Sequence, residues 1–256
     1  MCSALGIAFD DLAAALDRPI EGASARRLEE LADLRIESRT PLAYLLKEAW
    51  LEGHRFYVDE RVIVPRSHIA ALLGDELATW LESPASVGRI LDLCTGSGCL
   101  AILAALAFPE SRVDAADVSG EALAVARINV DAYRLGHRLR LVESDLFAAL
   151  GDQRFDLILS NPPYVDAKAM RGLPREYRHE PGLALAGGAD GLDIARRILD
   201  GAPDHLTERG LLVVEIGANR AGLEAAYPRI PFTWLATAAG DDEVFLLHRA
   251  DLVCSG

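Results

Sequence analysis

The sequence predicts an α/β protein: a mostly parallel sheet covered by helices on both faces, with an antiparallel edge and a small helical unit in front. Three observations lead there. From Gly88 onward, short runs rich in Leu, Val and Ile alternate with helix-length stretches, the pattern of strands buried on both faces. One strand-to-helix junction, "ILDLCTGSGCLAI", carries a tight glycine turn. The last stretch, "PFTWLATAAGDDEVFLLHR", reads as two strands joined by a Gly-Asp-Asp turn.

In chain order, residues 10–50 place apolar side chains at helical spacing: Leu12 and Leu16, then Leu28, Leu31 and Leu34, then Leu42, Leu45 and Leu46. "DRPIEGAS" and "SRTP" break that pattern into separate helices. Phe56, Val58, Val62 and Val64 predict a short hairpin around "DE", ended by Pro65, with a helix over 67–82 and a linker at "ESPASVG". The expected strands are 89–94, 111–118, 139–144, 155–161 and 210–217, with helices over 98–107, 120–135 and 191–206. The chain therefore divides into a helical unit (1–52), a hairpin with connecting helix (53–84) and an α/β domain (85–256).

The 256 residues carry a formal net charge of −13. Phosphate backbones and anionic membranes call for clustered Lys and Arg, so direct nucleic-acid binding is disfavoured and a cationic partner is favoured. Cys2, Cys94, Cys99 and Cys254 form no CxxC pair and no disulfide framework, which suits a reducing cytoplasm. The N-terminus lacks a basic region and meets acids by Asp10, unlike a signal peptide, and no apolar run reaches the length of a membrane span. The six histidines show no metal-binding spacing, so no metal is expected.

Gly96, Gly98 and Ala101 give G-x-G-x-x-A at a helix start, and Asp117 follows at the end of the next strand. Glycines let a ligand approach the backbone, and a carboxylate at that strand tip accepts ribose hydroxyls. The motif alone leaves NAD, S-adenosylmethionine and a non-binding turn open. Asp92 beside the loop would repel a pyrophosphate but hold an ammonium, which favours S-adenosylmethionine. "FDLILSNPPY" is the fourth strand of the α/β unit, so Asn161 should face the cofactor's sulfonium across the switch point. Pro162 and Pro163 donate no hydrogen bond and end the strand there. "SNPPYVD" is then either a strand terminator or a rigid edge that holds a planar amide.

"DLCTGSG", "SDLF", "SNPPYVD", "EYRHEPGLALAGGADGL" and "TPLAYLLKEAWLEGHRFYVDERVIVPRS" together resemble the class I protein-glutamine methyltransferases over residues 40–250. The "VPRS" and "EYRHEP" forms, with Cys94 where the release-factor enzymes carry Gly, are similar to the branch acting on large-subunit ribosomal protein three. The resemblance implies a seven-stranded Rossmann-like sheet and an N-terminal helical domain for substrate recognition. It places the cofactor loop at Cys94, Thr95, Gly96, Ser97 and Gly98, with Asp92 beside it, the ribose acid at Asp117 and the adenine side at Asp145 and Leu146. It places the amide clamp at Asn161, Pro162, Pro163 and Tyr164. The cofactor would be S-adenosyl-L-methionine, leaving as S-adenosyl-L-homocysteine. The partner would be a basic large-subunit ribosomal protein, with release factors as the alternative.

Asn161 and the Pro162 carbonyl would accept the two N–H groups of a glutamine amide, while Tyr164 covers the amide plane or packs in the core. No general base is evident. His179 is expected as a loop residue satisfied by Glu176 or Glu180; Arg178 contacts the substrate or pairs with those acids; Arg66 lines the pocket or bridges two domains. A nucleic-acid amino methyltransferase would use the same clamp on a flipped base, but the net charge opposes it. A nicotinamide oxidoreductase would need a proton donor that is not evident here.

Overall fold

The computed structural model describes residues 20, 22–81 and 83–253; the Leu12 and Leu16 spacing lies outside them. Helix α1 (Gly22–Ser38) buries Leu31 and is followed by the short α2 (Leu42–Leu46), which ends on the left-handed Lys47.

The hairpin forms earlier than its alternation suggests. Strands β1 (Ala49–Leu51) and β2 (His54–Phe56) pair around Glu52 and Gly53, not around Asp59 and Glu60. Both turn residues have positive φ (47° and 73°), the backbone that a two-residue hairpin requires and that Gly supplies cheaply. Asp59 instead accepts the backbone N–H of Arg61 (3.2 Å), its Nε–H (2.9 Å) and the Tyr57 hydroxyl (3.0 Å), making a compact turn with no strand after it. Val58 and Val62 gain their burial by packing with Tyr44, Ala49, Ala122 and Val125. The single helix expected over 67–82 is two short ones, α3 (Ile69–Leu72) and α4 (Asp75–Ala78), because Gly74 between them takes φ 98°.

The remainder alternates as expected: β3 (Arg89–Leu93), α5 (Cys99–Ala107), β4 (Arg112–Asp117), α6 (Gly120–Ala132), β5 (Leu139–Glu143), β6 (Phe155–Ser160), α7 (Ala167–Gly172), α8 (Asp193–His205), β7 (Leu206–Glu215), α9 (Arg220–Ala226), β8 (Thr233–Thr237), β9 (Gly240–His248) and α10 (Arg249–Val253). Seven of these strands make one sheet in the order β5-β4-β3-β6-β7-β9-β8, parallel throughout except for the pairs that β9 makes with β7 and β8. Strand β7 begins at Leu206, four residues before its expected start, because Leu206 pairs with Phe155 across an irregularity in the ladder. The last turn also moves: Thr237 pairs with Gly240, so Ala238 and Ala239 turn the chain and the Gly-Asp-Asp stretch opens β9.

Alternate strand residues point to opposite faces. Ile90, Val113, Leu157, Val213 and Leu246 pack under α5, while Leu91, Ile158, Val214, Phe245 and Leu247 pack under α8. Helix α5 buries Cys99 through Ala105 continuously, and its alanines let it sit close on the sheet. Fully burying each large aliphatic side chain contributes about 1.5–3 kcal/mol. That firm core fixes the strand ends. Chain order leaves β3 for β4 and β5, then returns through β6 beside β3, so the loops after β3 and β6 diverge and open a crevice. Leu93 is paired with both Ala116 and Ser160, and the Ser160 hydroxyl donates to Leu93 O at 2.9 Å. Cys94 and Asn161 therefore leave the sheet side by side.

Candidate active site

The glycine loop is held from beneath. Thr95 N–H donates to Ala116 O (3.0 Å) and Gly98 N–H to Thr95 O (2.9 Å), while Cys94, Gly96 and Gly98 all have positive φ. The two glycines have different reasons to lack a side chain. A Cβ on Gly96 would meet nothing within 4 Å, whereas one on Gly98 would sit 3.1 Å from the Ala126 Cβ of α6. Gly96 thus leaves open a cradle facing the crevice, and Gly98 lets two helices approach. Cys94 adopts φ 58°, the backbone that Gly tolerates best, and burial pushes its thiol pKa far up, so it stays a neutral lining group.

Asp92 is fully buried behind the loop. Its Oδ2 accepts from the Thr95 hydroxyl (2.5 Å) and from Ala101 N–H (3.1 Å) in the first turn of α5, but Oδ1 has no partner among the described residues. Burial pushes its carboxyl up to about 7 against those two donors. Asp117 accepts from Gly96 N–H (2.8 Å) and Ser119 N–H (2.9 Å), so the acid that closes β4 also shapes the loop; desolvation raises its pKa.

A cleft enclosing about 860 Å³, open solvent included, is lined by Cys94, Gly96, Asp117, Asp145, Leu146, Asn161 and Pro163 among others. Seven of the sequence-predicted residues meet there. The side chains of Asp92, Thr95 and Ser97 lie buried behind the loop. Asp145 extends to Arg197 (2.8 Å), which lowers its pKa, and Leu146 is turned into the left-handed region with its carbonyl held by Ser144 Oγ (2.7 Å).

A second cavity, enclosing about 580 Å³ with open solvent, is lined by Arg66, Pro162, Tyr164, Val165, Leu173 and Tyr177 among others. Ile63, Asn161 and Ala184 line both cavities. The Asn161 side chain makes no hydrogen bond to a described residue, so its amide is free at the boundary. Pro162 is buried and rigid, and Tyr164 is half-buried with its hydroxyl on Glu215 Oε1 (3.3 Å). Three glycines allow this packing: a Cβ on Gly187 would lie 2.7 Å from Tyr164 Cα, one on Gly191 2.4 Å from Tyr164 O, and one on Gly217 2.8 Å from its ring.

Arg66 bonds Glu180 and lies over the Tyr177 ring at 5.1 Å, so it both makes a salt bridge and lines the cavity. His179 bonds the Ser38 carbonyl at 3.0 Å, not Glu176 or Glu180, because the 3-10 turn Arg175–His179 packs on the end of α1. Glu176 is there too, paired with Arg35 (3.1 Å) and Arg39 (3.5 Å); Arg178 is exposed. Sequence reasoning missed Asn129, Glu215 and Asn219. Asn129 ties Ser97 O (2.8 Å) to the Tyr57 backbone (2.7 and 3.0 Å), and Asn219 Nδ2 holds Tyr164 O at 3.0 Å. Their signals were a polar residue on the apolar face of α6 and the polar pair in "EIGAN" after a buried strand.

A crevice at the switch point, a glycine loop with an acid on the next strand, and an asparagine shared by two cavities define a class I methyltransferase. Residues 73–173 match the family described as Methyltransferase small domain. A methyltransferase from Pyrococcus furiosus has the same fold, with TM-score 0.55 at 19% identity over 88% of this chain and 98% of that one. The ribosomal protein uL3 glutamine methyltransferase of Burkholderia pseudomallei is 52% identical over 97% of this chain and 83% of its own length. That of Bordetella pertussis is 54% identical over 95% and 82%. The chain belongs to the ribosomal protein uL3 glutamine methyltransferase family. No helix among the described residues is long and apolar enough to cross a membrane.

Proposed function

We infer that this chain transfers a methyl group from S-adenosylmethionine to the side-chain amide nitrogen of a glutamine in large-subunit ribosomal protein uL3. The observation that carries this is Asn161, which lines both the glycine-loop cleft and the second cavity. A donor in one and an amide in the other would meet at its side chain.

The residues present fit the cofactor. Gly96 leaves open space at the cleft, Asp117 offers a carboxylate at its rim, and Asp92 behind the loop carries an Oδ1 with no partner among the described residues. Asp145 and Leu146 would take the adenine side. When bound, S-adenosylmethionine supplies an electrophilic methyl on a sulfonium. The protein's part is to prepare the nucleophile. An amide nitrogen is weak because its lone pair is delocalised into the carbonyl. Asn161 Oδ1 and the Pro162 carbonyl each accept one of its N–H groups, which orients the lone pair and raises its electron density; such alignment contributes several kcal/mol. Pro162 and Pro163 hold that carbonyl without a conformational search. Tyr164 covers the amide plane during transfer, and the methylated nitrogen then gives up one proton to solvent, relayed past the Asn161 and Pro162 oxygens, to restore a neutral amide.

Helices α1 and α2, which precede the β1–β2 hairpin, would serve substrate recognition and the α/β unit 85–256 the chemistry. A net charge of −13 suits a basic, unassembled ribosomal protein. The test is methyl transfer from labelled S-adenosylmethionine to purified uL3, a release factor and a ribosomal RNA fragment in parallel. Label confined to a uL3 glutamine is expected. Label on the release factor, or on an exocyclic amine of RNA, would replace the substrate assignment.

A further inference from the structure

Glu215 closes β7 and is 1% exposed, yet it lines neither cavity. Its carboxylate gathers two separate stretches of chain. Oε2 accepts from the Ser67 hydroxyl (2.7 Å) and His68 N–H (2.9 Å), and Oε1 accepts from the Tyr164 hydroxyl (3.3 Å). Ser67 and His68 directly follow Arg66, and Ile63, Arg66 and Tyr164 all line the second cavity. We propose that Glu215 is a positioning residue for methyl transfer, setting the width of the substrate cavity by tying the Ile63–Ser67 segment and Tyr164 to one point. This rests on the second cavity being the amide site.

Packing alone does not need this carboxylate. The Tyr164 ring already lies on Gly217, where a Cβ would come within 2.8 Å, and Asn219 Nδ2 holds its carbonyl. What the hydroxyl bond adds is a fixed distance between the ring and the Ser67 segment. A buried carboxylate is costly to keep, and its three donors here offset only part of that cost. His68 also reaches Glu243 (3.3 Å) and Arg66 reaches Glu180, contacts that favour a folded segment when Glu215 is altered, but neither joins that segment to Tyr164.

The experiment is steady-state methylation of uL3 by Glu215→Gln, Tyr164→Phe and the double variant, with S-adenosylhomocysteine affinity measured on each. Expected are a kcat lowered about tenfold in each single variant, affinity within about twofold of the parent, and a double variant no worse than about threefold below the weaker single, since the two act through one contact. A kcat within twofold of the parent in both singles, fully additive losses, or cofactor affinity falling in step with kcat would overturn the proposal. If Glu215→Gln does not fold, Tyr164→Phe and Ser67→Ala replace the pair, with the same non-additivity expected. Asn161→Asp serves as reference: if it too retains full kcat, the amide-site reading has failed, whereas its loss beside intact Tyr164→Phe and Ser67→Ala sinks the positioning role alone.

Discussion

Asp117→Asn should weaken cofactor binding and loosen the fold together, because one carboxylate serves both. Its two oxygens accept from Gly96 N–H at 2.8 Å and Ser119 N–H at 2.9 Å while it lines the cleft. Asparagine keeps one acceptor and turns an NH2 towards the other N–H, so one charge-assisted bond becomes a clash of donors. Bonds of that kind contribute roughly 1.5–3 kcal/mol, and leaving the donor unpaired costs a similar amount. We predict a loss of about 2–3 kcal/mol in stability, which for a chain of this size lowers Tm by about 4–12 °C. Loss of charge towards the ribose hydroxyls should raise the Kd for S-adenosylhomocysteine about 10- to 100-fold, or roughly 1.4–2.8 kcal/mol. Calorimetry on samples confirmed as folded by near-ultraviolet circular dichroism measures both. A Kd within twofold of the parent would refute Asp117 as the ribose acid.

Three further predictions address the loop and the surface. Both Gly96→Ala and Gly98→Ala should lose stability, because each position takes a positive φ (55° and 79°), Gly98→Ala more so because its Cβ would also press on Ala126 at 3.1 Å, while Gly96→Ala should in addition weaken cofactor binding by intruding on the cleft; equal losses of affinity in the two would remove the division between the glycines. Asp92 has a folded-state pKa raised to about 7 by burial, so its contribution to stability is full below about pH 4 and is lost as pH rises through about 7. Cofactor-free Tm should therefore fall over that window more steeply than in Asp92→Asn, and binding a ligand ammonium should release a proton seen by calorimetry in buffers of different ionisation enthalpy; parallel pH profiles would count against it. Association with uL3 should slow as salt rises, because opposite net charges attract through a screened field, and a salt-independent rate would exclude an acidic docking face.

The parallel strands were legible because each is a nearly continuous apolar run between polar loops, and Asn161 and Gly96 stood out because proline fixes the backbone beside the one and glycine permits the positive φ of the other. The hairpin was misplaced for an equally physical reason. Phe56, Val58, Val62 and Val64 alternate like a strand, but the turn belongs to Glu52 and Gly53, whose positive φ only the backbone reveals. Gly74 split a helix whose apolar period ran straight through it. The site's supports were hidden because they act across long sequence gaps: Glu215 reaches Ser67 across 148 positions, His179 reaches Ser38 across 141, and Asn129 reaches Tyr57 across 72. Local pattern holds no record of such partners. The resemblance to a family, by contrast, rested on motifs that these supports serve.

Asn161 stands at the boundary of both cavities, and Asn161→Asp separates a clamp from a strand terminator more cleanly than alanine would. Aspartate keeps the size and turn preference of asparagine and can still accept from the substrate amide. It also places an anion beside the sulfonium and stabilises a charge that the reaction disperses. Single-turnover methylation of purified uL3, followed by mass spectrometry of the modified glutamine, is predicted to slow by about two orders of magnitude, roughly 2.7 kcal/mol of barrier. Cofactor binding should be kept or tightened, and stability should stay within about 1 kcal/mol of the parent. A rate within about threefold of the parent would contradict the account and leave Asn161 as no more than the end of a strand.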